Sequence, residues 1–315
     1  MVVVLFENED WLPPLIESLE SKSVPYQLKF VNGGDVDISQ PPEPAVYINR
    51  MSPSSHTRGH LEGLQFMKEY LWVLESYNLP IVNGSTSFSF ELSKVRQHSA
   101  LGAFGIKTPR TIAVSGTQTL HQDALKLSPP FITKHNQGGK GLGVQLFHSH
   151  QALVDNLTNS SYESSPDNIN LLQDYIQPKE PYITRVEIVN GEFLYAIRSS
   201  TENGFELCPA DACSVEDAFC PVGSQSTIGK FTIDPTIHKD SPIVKQYIAF
   251  CQRYQIDVAG IEFVENALGE QYTYDINCTT NYNSDVEAQL GFSGMDYIVD
   301  LAQERWREFQ ASRKT

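Results

Sequence analysis

Basic residues are scarce in this chain. Its 315 residues carry 23 Lys and Arg against 38 Asp and Glu, a net charge of −15. So acidic a surface argues against DNA or RNA as the main partner, because phosphate contact is built from basic patches. A polyanion site must gather its few cations locally, so each Lys and Arg position is informative. Long apolar runs are missing too; none approaches the roughly 20 residues that span a bilayer. Residues 2–6 are apolar, but acidic residues follow, without the basic start and long apolar stretch of a secretory signal. Cysteine is limited to Cys208, Cys213, Cys220, Cys251 and Cys278. An odd number without a signal reads as reduced thiols in the cytoplasm. The first three lack the paired C-x2-C spacing of structural zinc sites. What remains, 40% hydrophobic and 19% charged, is a globular composition long enough for two or three subdomains.

The first hundred residues alternate strands and helices. Strands are predicted at 2–6, 27–31, 45–48 and 80–83, and helices at 11–21, 61–77 and 88–104, the second from apolar residues at helical spacing. This alternation predicts a doubly wound lobe. Residues 50–60 follow a strand end, where such sheets place ligands. Arg50, His56 and Arg58 there could meet an anionic substrate or simply line a solvated loop. The rhythm changes after residue 110. Strands are expected at 111–114, 131–134, 144–147 and 171–176, with helical stretches at 118–127 and 151–157. Boundaries near Pro109 and Pro178 divide the chain into 1–108, 109–177 and 178–315. Further helices are expected at 243–254 and 297–309, and paired strands at 258–264 and 271–276.

Residues 182–189 and 192–199 flank Asn190-Gly191, a two-residue hairpin signal. Uninterrupted pairing across that turn would put Arg185 and Arg198 on one face, diagonal to each other. Two guanidiniums together in an acidic protein suit a phosphate or carboxylate. The stretch Gly138-Gly139-Lys140-Gly141-Leu142-Gly143 follows the strand ending in Lys134. Its glycines let backbone N–H groups approach a phosphate. No Ser or Thr follows Lys140 and a strand comes next, so it is neither a Walker loop nor a Rossmann turn. Asp275 and Asn277 lie two apart on a strand, hence on one face, with Glu262 on the neighbouring strand. Two carboxylates and an amide oxygen form a hard donor set suited to Mg²⁺.

Taken in order, Ser93-Lys94-Val95-Arg96, the 131–134 strand, the glycine loop, Leu172-Gln173-Asp174-Tyr175-Ile176, Thr184-Arg185, Gly260-Ile261-Glu262-Phe263 and Asp275-x-Asn277 resemble the ATP-grasp superfamily, and within it the RimK-like carboxylate–amine ligases. The resemblance covers roughly residues 80–310. It implies an α/β fold of the α+β ATP-grasp kind: an N-terminal doubly wound lobe followed by two α+β subdomains clasping ATP. Lys94 and Lys134 then look like phosphate-binding lysines beneath Gly138, Gly139, Lys140 and Gly141. Gln173, Asp174, Tyr175 and Ile176 look like the adenine-binding segment, and Glu180 like a ribose-binding acid. Arg185 and Arg198 look like catalytic arginines facing the γ-phosphate. Glu262, Asp275 and Asn277 look like ligands of two Mg²⁺ ions, with Mn²⁺ as a substitute. The implied reaction joins a small-molecule or peptide carboxylate to an amine through an acyl phosphate, releasing ADP. A peptide-crosslinking enzyme and a non-catalytic ATP-binding module are the alternatives. Homo-oligomerisation stays open. After the hairpin the chain departs from the RimK-like pattern, with no alignable substrate arginine in 206–213.

Overall fold

The structure is a computed structural model that describes residues 1–139, 141, 143–201 and 231–313. Its first sheet contains β1 (Val2–Phe6). After α1 (Pro13–Ser21) come β2 (Tyr26–Phe30) and β3 (Val46–Arg50), then α2 (Leu61–Ser76) and β4 (Ile81–Val82). The strands are parallel in the order β2-β1-β3-β4. Both faces of β1 are covered. Val2, Val4 and Phe6 pack with Leu15 and Leu19 of α1, whereas Val3 and Leu5 pack with Leu64, Met67 and Leu71 of α2. This is the expected doubly wound lobe, and burial on both faces explains why β1 reads as an unbroken apolar run.

Residues 88–104, expected as one helix, divide into α3 (Ser85–Glu91) and α4 (Lys94–Phe104). Ser93 breaks the run: its backbone is extended and its Oγ caps the Arg96 amide at 3.3 Å. A hydroxyl acceptor at this position satisfies an amide that a new helix start would leave unpaired. The break makes Lys94 the first residue of α4. Phe90 and Leu101 of these helices pack in the same core as the last sheet, not against the first.

The second sheet holds β5 (Thr111–Ser115), β6 (Phe131–His135), β7 (Gln145–Phe147) and β8 (Ile169–Asp174), antiparallel in the order β5-β8-β6-β7. Helices α5 (Leu120–Ala124) and α6 (His150–Thr158) cover its apolar side through Leu120, Ala124 and Leu153. The third sheet holds β9 (Tyr182–Val189), β10 (Glu192–Ser200), β11 (Phe231–Ile233), β12 (Val258–Glu265) and β13 (Gln271–Asn277), in the order β11-β10-β9-β12-β13. Helix α7 (Pro242–Tyr254) packs on it through Tyr247 and Phe250. A short α8 (Ser284–Leu290) precedes α9 (Gly294–Ser312). Helix α9 returns to the first lobe, where Ile298 and Val299 pack with Val2, Leu15 and Ile48. The last residues therefore help cover the first sheet.

Asn190 and Gly191 have φ of 51° and 73°, the left-handed pair a tight hairpin needs. Pairing starts as expected at Glu192 with Val189, but the register shifts between Phe193 and Tyr195. Beyond this bulge Arg198 lies opposite Thr184, and Ile197 opposite Arg185. One inserted residue flips every later side chain to the other face. Arg185 and Arg198 therefore point to opposite sides of the sheet, contrary to the sequence expectation. A second shift between Glu262 and Phe263 keeps Glu262 opposite Asp275 while Phe263 pairs with Thr273. Tyr274 is left as the extra residue.

Candidate functional site

A groove runs between the second and third sheets. Strand β6 delivers Lys134 to it, buried at 4% exposure, with Nζ 3.3 Å from the Tyr274 carbonyl. Burial and the nearby Lys94 charge push the Lys134 ammonium down to about 8. Lys94 reaches the groove from the first turn of α4 and pairs with Asp275 at 2.7 Å. The start of α4 is pinned by the segment after β6: Asn136 Oδ1 accepts the Val95 amide at 2.9 Å, and the Lys94 amide donates to the Asn136 carbonyl at 3.2 Å. The two lysines and the glycine segment are thus one assembly.

Gly138, Gly139 and Gly141 line the groove. Lys140, the cation of this loop, lies outside the described residues. Gly143 has a φ of 73°, and a Cβ there would meet the His135 imidazole, so only glycine fits. His135 itself is buried, and its Nε2 lies 2.9 Å from the Glu163 carbonyl.

On the opposite wall, Glu262 of β12 faces Asp275 of β13, and Asn277 follows on the same face, opposite Gly260. Asn277 Nδ2 lies 3.4 Å from Glu262 Oε1. Burial raises the Glu262 carboxyl and the Asp275 charge adds to this, against the pull of Arg185. Burial would raise Asp275 as well, but Lys94 and Lys134 hold it below the ordinary carboxylate range. The expected repulsion between the two acids is therefore relieved by Lys94 on one and Arg185 on the other. Three hard oxygen donors converging on one wall suit Mg²⁺. Among the described residues no group of three or more His, Cys, Asp and Glu forms a metal cluster, so the amide of Asn277 is needed to complete the set.

Arg185 lies beneath this wall rather than in the groove lining. Its Nε donates to Glu187 at 2.6 Å, Nη1 to Glu262 at 3.0 Å and Nη2 to Thr280 at 2.6 Å. Arg198 is elsewhere: it pairs with Asp234 at 3.0 Å and stacks over Tyr182 in a separate cavity on the other face of the sheet, which Glu180 also lines. The structure does not bring Arg198 or Glu180 to the groove, the former because of the bulge in β10.

At the end of β8, Gln173, Asp174, Tyr175 and Ile176 line the groove. The Gln173 amide is engaged internally, donating to Thr111 Oγ1 at 2.7 Å and lying 3.1 Å from His98 Nε2. Burial, reinforced by Lys134 and Lys94, pushes His98 down to about 3. The apolar walls Ile132, Ile183 and Val264 were not singled out from the sequence. Each sits two residues from a named polar residue, Lys134, Arg185 and Glu262, on the same strand. The two-residue strand period could have found them. Tyr274 also lines the groove, which the alternation did not predict; the β13 irregularity turns it inward.

The stretch 50–60 resolves residue by residue. Arg58 forms a two-point pair with Glu7 at 2.9 and 2.6 Å, and His60 lies 2.5 Å from the same carboxylate. His56 Nδ1 lies 3.1 Å from the Pro53 carbonyl. Arg50 is buried and forms no ion pair among the described residues. Cys251 and Cys278 are buried free thiols, their pKa values raised by burial. Cys208, Cys213 and Cys220 lie outside the described residues. No helix among the described residues is long and apolar enough to cross a membrane.

Solved structures share this arrangement of two antiparallel sheets facing each other across a groove. Across 96% of the chain and 98% of the other, the fold matches the ATP-grasp ligase PsnB complexed with minimal precursor, at a TM-score of 0.67 and 13% identity. D-alanine–D-alanine ligase from Bacillus anthracis complexed with ATP matches over 99% of both chains, with a TM-score of 0.65 and 15% identity. At such identities the likeness establishes the fold. By sequence, residues 92–207 match the model of the RimK-like ATP-grasp domain. A probable alpha-L-glutamate ligase of Mannheimia succiniciproducens is 23% identical over 196 residues, 62% of this chain. The matched stretch covers 58% of that relative's length.

Proposed function

We propose that the chain is an ATP- and Mg²⁺-dependent carboxylate–amine ligase acting on an amino acid or peptide. The observation that carries this reading is the convergence of Lys94, Lys134 and the glycine loop with Glu262, Asp275 and Asn277 across one groove. Lys94 and Lys134 pair with the phosphates, the 173–176 segment and the apolar walls hold the base, and the three oxygen donors hold the cation. Mg²⁺, one ion or two, supplies charge neutralisation at the phosphates. Arg185 positions Glu262 rather than touching nucleotide. Positioned cations stabilise charge as it develops, which is the main contribution to phosphoryl transfer. A substrate carboxylate oxygen attacks the γ-phosphorus, the bond to ADP breaks, and an acyl phosphate forms. The amine nitrogen then attacks the acyl carbon, losing a proton as phosphate leaves.

The test is an ADP-release screen over amino acids, dipeptides and amines, followed by intact mass of the product. Ligation adds the mass of one residue. Loss of water within one peptide would favour crosslinking instead. Tight ATP binding with no ADP released by any pair would leave the nucleotide-binding module as the better reading.

A further inference from the structure

Five arginines among the described residues are buried or half-buried: Arg50, Arg58, Arg185, Arg198 and Arg305. Four of them form ion pairs with carboxylates: Arg58 with Glu7, Arg185 with Glu187 and Glu262, Arg198 with Asp234, and Arg305 with Asp257. Arg50 is 4% exposed and has no carboxylate within ion-pair distance among the described residues. Its Nη1 donates to the Thr280 carbonyl at 2.7 Å and its Nη2 to Asn281 Oδ1 at 2.5 Å, while its Nε–H has no partner. A buried cation with no carboxylate in direct contact is costly: burial lowers its pKa to about 10, and the Tyr282 hydroxyl and the more distant Glu91 carboxyl offset this only in part. The hydroxyl of Tyr282, two residues beyond Thr280, is likewise buried without a partner among the described residues, within reach of the charges of Glu187, Arg50 and Glu287.

Position supplies an independent argument. Arg50 ends β3, the neighbour of β1, and the helices that follow these two strands pack on opposite faces of the sheet. Ligands of open parallel sheets bind beyond the strand ends at that switch point. The loop after Arg50 also meets the nucleotide groove: a Cβ on Gly139 would lie 3.8 Å from both Pro53 and Ser54. Thr280 links Arg50 to the metal wall, because its Oγ1 accepts from Arg185, which in turn holds Glu262.

We propose that Arg50, with the Tyr282 hydroxyl, anchors a spectator carboxylate of the substrate, one that is neither activated nor consumed. The inference rests on the ligase reading for its role but not for its test. It assigns the substrate class: an amino acid or peptide joined through its amine, or a dicarboxylic acid joined through one end. With Nη1 and Nη2 fixed by Thr280 and Asn281, the remaining Nε–H is a directed donor for a carboxylate oxygen, which a flexible lysine ammonium does not reproduce.

The experiment measures binding, not turnover. Full-length protein with Mg²⁺ and a non-hydrolysable ATP analogue is titrated with succinate or L-glutamate, with succinamide as the uncharged control, and thermal stability is followed. Wild type should be stabilised by the carboxylates and not by succinamide. Arg50→Gln should weaken the carboxylate response at least tenfold while keeping the shift caused by nucleotide, and Arg50→Lys should retain part of it. Tyr282→Phe should weaken it severalfold and serves if Arg50→Gln does not fold. No carboxylate response in wild type, or an undiminished response in Arg50→Gln or, where that fails to fold, in Tyr282→Phe, overturns the proposal. The ligase reading fails separately, on an ADP-release screen that stays blank.

Discussion

Gly260→Ala tests the organisation of the wall formed by Glu262, Asp275 and Asn277 without needing a substrate. Gly260 lies on β12 directly beneath the Arg185 guanidinium, and a Cβ built there would overlap Nη2, Cζ and Nε. A surface arginine would swing away at little cost. Arg185 cannot, because its side chain is 5% exposed and bonded to Glu187, Glu262 and Thr280 at 2.6–3.0 Å. Carbon contacts need about 3.5 Å or more, so the guanidinium must retreat by roughly 1 Å, past the reach of a good hydrogen bond on at least one side. A hydrogen bond to a charged group contributes about 1.5–3 kcal/mol, and breaking a buried ion pair costs about 3–5 kcal/mol. We therefore expect Gly260→Ala to lose about 3–5 kcal/mol. At about 2–4 °C per kcal/mol for a domain of this kind, the melting temperature should fall by roughly 6–20 °C. Calorimetry provides the assay. The steric cause is checked by adding the alanine to Arg185→Ala, where the Cβ meets open space and the further loss should be under about 1 kcal/mol. A melting temperature within about 2 °C of wild type for Gly260→Ala would refute the reasoning.

Acid sensitivity should trace in part to His98. Its folded-state pKa of about 3 lies below the unfolded value near 6.5, so on acidification the unfolded chain takes up the proton first. Stability is fully present above about pH 6.5 and is lost progressively toward pH 3, by about 2 kcal/mol at pH 5. The charges involved are Lys134, Lys94 and Asp275. Denaturant titrations at pH 7.5 and 5 should show a smaller difference in His98→Gln, and an equal difference would count against this cause. Arg198→Ala should leave nucleotide affinity within about threefold of wild type, whereas Lys134→Ala should weaken it by about tenfold or more, the worth of one charged hydrogen bond. Equal losses in the two variants by calorimetric titration would place Arg198 at the nucleotide after all.

Much of this protein is written locally. The glycine run at 138–143, the Asn190-Gly191 turn and the apolar run of β1 act through backbone sterics and burial periodicity, which neighbours along the chain decide. Asp275 and Asn277 share a face because strands alternate, so their meeting with Glu262 needed only the pairing of two adjacent strands. The lysines could be singled out because cations are few in this acidic chain. Other features depended on tertiary structure. The bulge near Leu194 removed Arg198 from the groove, and no residue in the 192–199 run marks a bulge by its type. Three arginine and histidine candidates in 50–60 looked alike as sequence. Glu7, brought by β1 from 51 residues before Arg58, pairs with Arg58 and lies against His60, and the loop after β13 gives Arg50 neutral hydrogen-bond acceptors in place of a carboxylate. Charge compensation is set by which distant groups arrive within a few ångströms, so sequence determines the candidates and packing decides which of them is left without a direct ion pair.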